Sequence, residues 1–400
     1  MPRALIIGGS VGGLFAALLL REIGWDVAVY EKTAGDLSGR GAGLGLSNEL
    51  FQVLRRVGAE ISPSTGVPVS ALLWIGRDGG VVRRIERPWL TGAWSRIYRP
   101  LRAAVPDEIV CPGRTLERVA QEGARVIAQF ADGGQETGDL LVASDGVHST
   151  VRRQYLPEVA PRYAGYVAWR GVVEEKELSP ADHALLSDGI AYAFPPGEMS
   201  LSTPIPGLDD DVRPGHRRYY FIWYRPADRD QLRDLMTDEA ARRNELSLPP
   251  NLIRPEAIAA MRADAQSVLP PVIARIVARA AHPLLQAVTD LEVPRMVIGR
   301  AALMGDAAFI ARPHVAAGVT KAALDALALA EALAAAPGDI DAGLARFERE
   351  RLAFGHSLVE YSRALGAASL APEATRDPEQ VMRTYGAPHL LRDGNRSALS

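Results

Sequence analysis

The chain has 400 residues, of which 48% are hydrophobic and 23% charged, and its formal net charge is -3 at pH 7. This composition is that of an ordinary globular protein, and the length predicts two or three domains or one large composite domain. A slightly acidic chain without a basic stripe excludes nucleic acid as an expected partner.

Cysteine, histidine and the apolar runs exclude further classes of protein. The single cysteine, Cys111, cannot form an intramolecular disulfide and favours a reducing compartment, so we expect a cytoplasmic protein. The histidines lack the spacing of metal ligands, so no metal site is predicted. Glycines interrupt the N-terminal apolar run, which argues against a signal peptide. All apolar runs fall short of the ~18 residues of a membrane span, so no membrane association is expected.

The first predicted elements are a short apolar strand at residues 4–7, the turn GGSVGG and a helix. Strand, glycine turn and helix follow in the order of a dinucleotide site. Gly8 is expected to make the tight turn, and Gly13 to permit close packing of helix on strand. Ser10 takes the middle position, where glycine is usual, and its hydroxyl can bond a phosphate oxygen.

The second strand, residues 27–30, ends at Glu31. Glu31 stands 23 positions after Gly8, near the ~20 expected of the acid that binds the adenosine ribose hydroxyls, and Lys32 follows it. Next comes a glycine-rich stretch that begins at Arg40. This stretch is interpreted either as backbone that passes close to a ligand or as a simple loop.

Hairpins and strands occupy the middle of the chain. Turn residues predict hairpins at 78–80 and 132–134, and a strand at 139–143 ends in Asp145-Gly146. From residue 163, β-rich runs between Pro, Gly and Asp turns predict an antiparallel sheet. In its aromatic strand at 217–224, odd and even positions face opposite sides, so one face could line a pocket while the other packs; core packing is favoured over ligand contact.

Residues 300–333 join a strand, Gly305-Asp306, a loop with Pro313 and a long Ala/Leu helix. A helix N-terminus presents unpaired N–H groups and the positive end of the helix dipole, so it favours an anionic or electron-rich ligand. The small residues at 316–318 let a flat ligand approach the backbone. A surface helix after an ordinary loop is the alternative interpretation.

Three separated motifs resemble those of the p-hydroxybenzoate hydroxylase-like FAD monooxygenases: GGSVGG with Glu31, ASDGVHSTVR at 143–152 and MGDAAFIARPHVAAG at 304–318. The resemblance spans nearly the whole chain and is nearest to the branch that acts on 2,6-dihydroxypyridine. It implies an α/β fold in which an antiparallel β-sheet substrate domain is inserted into a Rossmann-like FAD-binding domain. The implied parts are an FAD-binding domain at 1–70, 97–162 and 287–365, a substrate domain at 71–96 and 163–286, and a C-terminal segment at 366–400.

The resemblance also implies which residues hold FAD. They are Gly8, Ser10, Gly12, Gly13, Glu31, Lys32, Arg40, Arg99, Asp145, Gly146, Asp306, Pro313, Ala316, Ala317, Gly318 and Val319. Asp306 matches the acid that binds the ribitol chain, and residues 313–319 match the loop against the isoalloxazine edge. Asp145-Gly146 matches a motif associated with both FAD and the nicotinamide donor. Many relatives carry His-Pro where this chain has Phe309-Ile310, so the role of that histidine is not transferred.

The reaction implied is ring hydroxylation. NADH or NADPH reduces FAD, O2 then gives a flavin C4a-hydroperoxide, and its distal OH passes to an electron-rich aromatic or N-heterocyclic ring. Alternatives are another ring, such as a purine or a benzoate-like acid, and a flavin oxidase or reductase without oxygen insertion. The sequence leaves the oligomeric state open, and a homodimer is the commonest soluble oligomer.

His314 is the candidate base, because it adjoins the flavin loop and an unperturbed histidine titrates near neutrality. A structural histidine is the alternative. The candidate substrate contacts are Trp169, Arg170, Tyr192 and Tyr224. For Arg170 the alternative is an ion pair with a carboxylate of the sheet.

Overall fold

The computed structural model describes residues 1–38, 43–59, 65–208 and 210–386. The strands are β1 (Arg3–Ile7), β2 (Asp26–Glu31), β3 (Gly43–Leu46), β4 (Val67–Ile75), β5 (Val81–Ala93), β6 (Val110–Pro112), β7 (Leu116–Glu122), β8 (Arg125–Phe130), β9 (Gln135–Gly138), β10 (Leu140–Ala143), β11 (Arg162–Glu174), β12 (Gly189–Ala193), β13 (Met199–Ile205), β14 (Arg218–Pro226), β15 (Ser247–Leu248), β16 (Leu284–Glu292), β17 (Val297–Ile298), β18 (Ala301–Leu303) and β19 (Phe309–Ile310). The α-helices are α1 (Val11–Glu22), α2 (Asn48–Arg56), α3 (Trp94–Ala104), α4 (Thr150–Tyr155), α5 (Pro180–Leu186), α6 (Arg229–Leu235), α7 (Pro255–Val268), α8 (Pro271–Arg279), α9 (Gly318–Ala334), α10 (Ile340–Ser369) and α11 (Pro378–Thr384).

The predicted strand, helix and strand at the N-terminus form the centre of a six-stranded sheet. Its order is β17-β18-β10-β1-β2-β6, and every pair except β17-β18 is parallel. Parallel strands need a crossover, and α1 supplies it between β1 and β2. Helix α1 packs on β1 and β10 and against α9, while the three-stranded sheet β7-β8-β9 contacts the same two strands. The glycine turn after β1 is thereby brought beside the end of β10.

The predicted β-rich region forms a larger sheet, with the order β15-β16-β11-β14-β13-β12-β4-β5-β3 and β19 paired to β16. It is antiparallel except for the β12-β4 pair, which is parallel and corrects the expectation of an all-antiparallel sheet. Along β14, the side chains alternate between two apolar clusters, as predicted. The cluster of the odd positions includes residues of α7 and α8, and that of the even positions includes residues of α11.

Strands β3 and β19 of the large sheet lie wholly in segments that the sequence assigned to the FAD-binding domain, and β4 and β16 lie partly in them. Strand β3 pairs with β5, and Ala287, Thr289 and Asp290 of β16 pair with β11. Helix α10 likewise continues past residue 365 without a break. The predicted domain boundaries stay a prediction. The chain passes between the two sheets more often than those boundaries imply. Within the described ranges, no helix is long and apolar enough to span a membrane.

Candidate cofactor and substrate site

The glycine turn after β1 is shaped so that side chains would not fit. Gly8 has φ +108°, a conformation that L side chains rarely adopt. A Cβ on Gly13 would lie 1.8 Å from the Gly8 carbonyl oxygen, and one on Gly12 would lie 2.6 Å from Ser144 Oγ. Ser10 is the N-cap of α1, and its side chain makes no capping hydrogen bond. Its hydroxyl therefore stands at a helix N-terminus, where it is placed to meet a phosphate.

The acid at the end of β2 holds the turn together. Glu31 accepts hydrogen bonds from the Gly9 N–H at 2.8 Å and the Thr33 N–H at 2.9 Å, one on each carboxylate oxygen. A carboxylate has further lone pairs, so it can also accept a ribose hydroxyl. Lys32 beside it is exposed.

The two arginines predicted to flank the cofactor are not shown to do so. Arg99 lies on α3, is half-exposed and pairs with Asp210 at 3.2 Å. Arg40 lies outside the described residues. Both stay predictions as cofactor contacts, and the Arg99 side chain already has a carboxylate partner.

The Asp145-Gly146 turn lies beside the glycine turn, because the end of β10 meets the end of β1. Asp145 Oδ2 accepts the Thr150 N–H at 2.7 Å at the start of α4, while Asp145 Oδ1 is buried without a partner among the described residues. Burial raises the pKa of this carboxyl. Gly146 takes a positive φ of +74°. A buried carboxylate oxygen normally has a hydrogen-bond partner, so a water or a ligand hydroxyl or amide would fit at this position.

Arg152 ties this turn to the Gly305-Asp306 motif, a role that the sequence did not reveal. Its buried guanidinium donates to the Val147 carbonyl at 2.5 Å and to the Ala307 carbonyl at 3.0 Å. Two motifs separated by about 160 residues in the chain are thus joined by one side chain. The sequence offered only a pair of adjacent arginines, without a sign that one is buried.

The loop before α9 forms the predicted helix start, shifted slightly along the chain. A 3-10 turn at Pro313–Val315 leads to Ala316, which has φ +50°, and α9 begins at Gly318. The first N–H groups of α9 point away from the helix and have no partner within it. Asp306 lies on the preceding 3-10 turn, and 54% of its side chain is exposed.

One cavity of about 360 Å³ is lined by this loop and by the large sheet together. From the loop and α9 come Asp306, Pro313, Ala316, Ala317, Gly318, Val319 and Lys321. From the sheet and α11's end come Arg170, Tyr192, Tyr220, Ile222, Tyr224 and Tyr385. The predicted cofactor loop and three of the four predicted substrate contacts therefore share one cavity.

Arg170 lines that cavity and has no counter-ion in the part of the chain that the structure describes. Among the described residues no carboxylate lies within 4 Å of it, and its Nε is buried without a hydrogen-bond partner. The nearby hydroxyls of Tyr220, Tyr224 and Tyr385 do not supply negative charge, because burial raises the pKa of each phenol. The alternative expectation, an ion pair with a sheet carboxylate, is wrong for the described part of the chain.

Trp169 is not a substrate contact. It precedes Arg170 on β11, so its side chain points to the opposite face of the sheet, where it pairs in register with Trp223 and is buried in the cluster under α7 and α8. It does not line the cavity.

His314 lies behind the cavity wall and does not line the cavity. Its side chain is fully buried, its Nε2 is 2.9 Å from Tyr166 Oη, and its ring stacks on Tyr224 with centroids 4.1 Å apart. Burial, with smaller effects of Arg312 and Arg170, lowers its pKa to about 3. A general base must reach the proton that it abstracts, so the expectation of a direct base is contradicted by this geometry. His314 supports Tyr224 instead.

Two lining residues escaped the sequence reasoning. Tyr385 follows α11, about 160 residues after Tyr224, and the two hydroxyls lie 3.4 Å apart. Nothing local in the sequence indicates that the chain returns to the cavity there. Lys321, by contrast, could have been noticed in the sequence, because it is the single charged residue in the first turn of α9.

These residues fit FAD. The glycine turn excludes side chains where a pyrophosphate would approach, and the helix N-termini of α1 and α9 favour phosphate and the ring edge respectively. Asp145 Oδ1 is a buried acceptor without a partner among the described residues, and Asp306 offers an exposed carboxylate. The donor set is that of a dinucleotide rather than a metal.

The chain is similar to known monooxygenases. It is 32% identical over 96% of both chains to the 2,6-dihydroxypyridine 3-monooxygenase of Paenarthrobacter nicotinovorans. It is 26% identical to the 6-hydroxynicotinate 3-monooxygenase of Pseudomonas fluorescens, over 83% of this chain and 82% of that one. Residues 163–290 match a family model described as FAD binding domain-like.

Solved structures agree with the fold. The 2,6-dihydroxypyridine-3-hydroxylase from Arthrobacter nicotinovorans superposes with a TM-score of 0.89 at 32% identity, over 96% of each chain. A salicylate hydroxylase substrate complex superposes with a TM-score of 0.74 over 100% of this chain and 99% of that one. At 21% identity the second match shows the fold alone.

Proposed function

Because this chain belongs to the FAD-dependent aromatic monooxygenases, we propose that it hydroxylates a small ring of the 2,6-dihydroxypyridine type, bound as a ring oxyanion. FAD is the cofactor, and NAD(P)H is the typical co-substrate of these enzymes. The observation that carries the proposal is Arg170, a guanidinium in an aromatic cavity without a protein counter-ion among the described residues.

The physical reason is the cost of an unpaired charge. An ion taken out of water without a partner loses on the order of several kcal/mol, so such groups are normally paired. Arg170 is partly exposed to the cavity, its Nε is buried, and no carboxylate pairs with it among the described residues, so a ligand anion would supply the missing partner. Arginine offers a planar fork of donors, which suits an oxygen anion on a flat ring or a carboxylate.

The cavity walls favour an aromatic ligand. Tyrosine rings and aliphatic side chains supply most of the sheet side, among them Leu72, Ile190, Leu201 and Ile222. Such walls bind a flat ring and exclude water, while the neutral phenols at Tyr192 and Tyr224 can donate or accept hydrogen bonds. These features support a hydroxylated ring as the occupant.

The loop before α9 and the glycine turn are the parts of the chain that fit FAD. The chemistry supplied by bound FAD is the reductive activation of O2 with electrons from NAD(P)H. The glycine turn and Glu31 would hold the dinucleotide, and Asp306 would bind the ribitol. The N-terminus of α9 favours negative charge on the ring by about 0.3–2 kcal/mol.

No general base is needed at the substrate in this account. Among the described lining residues, Asp306 is the carboxylate and no histidine is present, and we assign Asp306 to the cofactor. Arg170 instead favours the ionised substrate, and an ionised hydroxyl makes the ring carbons more nucleophilic. The proton is therefore lost to solvent before or during binding, with the tyrosine hydroxyls hydrogen-bonded to the ring.

A matched substrate series tests the proposal. Purified FAD-loaded protein is given NADH or NADPH with 2,6-dihydroxypyridine, its dimethyl ether, 6-hydroxynicotinate, urate or 4-hydroxybenzoate, and product formation is followed by mass spectrometry. We expect turnover of 2,6-dihydroxypyridine and none of the ether. Equal turnover of the ether would overturn the oxyanion proposal. Turnover of urate or 4-hydroxybenzoate alone would overturn 2,6-dihydroxypyridine as the substrate type and indicate a purine or a benzoate-like acid instead.

We further propose a cytoplasmic location and a homodimeric assembly. A cytoplasmic location follows from the lone cysteine, and a homodimer from the frequency of this assembly. Light scattering of the purified chain measures the second. The same turnover assay decides between NADH and NADPH.

A further inference from the structure

Lys321 is a buried cation at the cofactor loop that the account above does not use. It lies in the first turn of α9, and only 1% of the residue is exposed. Its Nζ donates to the Phe309 carbonyl oxygen at 2.5 Å and lies 3.3 Å from Asp306 Oδ1. Lys321 also lines the cavity, together with Asp306 and the residues at 316–319.

A lysine is an unfavourable choice at this position on structural grounds alone. Burial disfavours a cation, and the N-terminal turn of a helix already carries positive charge from the helix dipole. A neutral donor such as glutamine could hold the Phe309 carbonyl equally well. The partner of the charge is Asp306, which is about half-exposed. The site therefore concentrates positive charge where the cofactor's ring is expected.

We propose that Lys321 sets the redox balance of the bound flavin, by stabilising the negative charge that its ring gains on reduction. An ammonium has three donors, and two acceptors are found for it among the described residues, which leaves one N–H for the cavity side. The ammonium and the N-terminus of α9 act in the same direction. Asp306 opposes them, so the pair tunes the potential. The proposal depends on FAD binding and is independent of the ring substrate.

The test measures the midpoint potential of bound FAD without any substrate. In Lys321→Gln, the hydrogen bond to Phe309 can persist while the charge is lost. We expect the preference for reduced over oxidised FAD to fall by about tenfold, which for a two-electron couple lowers the midpoint potential by about 30 mV. Lys321→Arg should keep the potential near that of the original protein. Asp306→Asn should shift it upwards, because the opposing charge is removed.

The control variant removes the positive charge of an arginine that contacts the same helix, α9, at a different place. Arg56 pairs with Glu331 of α9 at 2.6 Å, away from the cavity, so Arg56→Met should leave the potential unchanged. If Lys321→Gln retains FAD with an unchanged potential, or shifts only as far as Arg56→Met, the proposal is wrong. Equal loss of both oxidised and reduced FAD in Lys321→Gln would also overturn it, since Lys321 would then serve retention alone.

Discussion

Replacing Arg170 by methionine should change protein stability and ligand binding in opposite directions. The free protein holds this guanidinium without a counter-ion among its described residues. Replacing a buried ion pair by apolar side chains is often neutral or stabilises a protein by about 1–4 kcal/mol, and a guanidinium without a partner has no ion-pair attraction to lose. Because Arg170 lines a cavity and is partly exposed there, we expect the lower end, about 1 kcal/mol.

Binding of the ring should weaken in the same variant. A hydrogen bond to a charged group contributes about 1.5–3 kcal/mol, which corresponds to a rise in Kd of roughly 10- to 150-fold. Denaturant unfolding of the FAD-loaded protein without substrate measures the change in stability. The change in flavin absorbance on adding the ring measures its Kd.

A second buried arginine provides the contrast. Arg217 is paired with the fully buried side chain of Glu175 at 2.6 Å, so Arg217→Met should lower stability by about 3–5 kcal/mol. It lies outside the cavity and should leave the Kd of the ring unchanged in folded protein. If Arg170→Met loses stability as Arg217→Met does and binds the ring normally, Arg170 is a structural residue and the reasoning is refuted.

Three other changes test the site. His314 has a pKa of about 3 in the folded protein and near 6.5 in the unfolded chain. As the pH falls from 7 to 5, only the unfolded state binds a proton at His314, which lowers the free energy of unfolding by about 2 kcal/mol. Urea unfolding of His314→Gln over the same pH range should therefore show a loss of stability that is smaller by about 2 kcal/mol. Gly13→Ala should lower the free energy of unfolding by about 1–3 kcal/mol, because the new Cβ would clash with the Gly8 carbonyl oxygen. The control Gly35→Ala places its Cβ in open space and should change that free energy by less than about 0.5 kcal/mol. Asp306→Ala should weaken FAD binding at least about tenfold, as measured by flavin fluorescence, and unchanged occupancy would contradict its assignment to the ribitol.

The elements that could be predicted from sequence are those defined by local spacing. The turn from Gly8 to Gly13 and the helix start after Pro313 each lie within a few residues, so backbone geometry and helix termini suffice to place them. The strand alternation at 219–224 was likewise predicted, because side chains of a strand alternate between its faces.

Positions that depend on register or on distant segments could not be predicted. Trp169 and Arg170 are neighbours, and only the pairing of β11 with β14 decides which of them faces the cavity. His314 adjoins the cofactor loop in sequence, yet the 3-10 turn directs its ring behind Tyr224. Tyr385 reaches the cavity through the packing of α10 and α11, which no local pattern specifies.

The central claim is that this chain inserts an oxygen atom from O2 into a hydroxylated ring. The most direct measurement is turnover of 2,6-dihydroxypyridine with NAD(P)H under ¹⁸O2, followed by mass spectrometry of the product. We predict a product heavier by one ¹⁸O atom, formed in step with NAD(P)H consumption. Consumption of NAD(P)H that yields only hydrogen peroxide with every ring tested, or ring oxygen derived from water, would contradict the account.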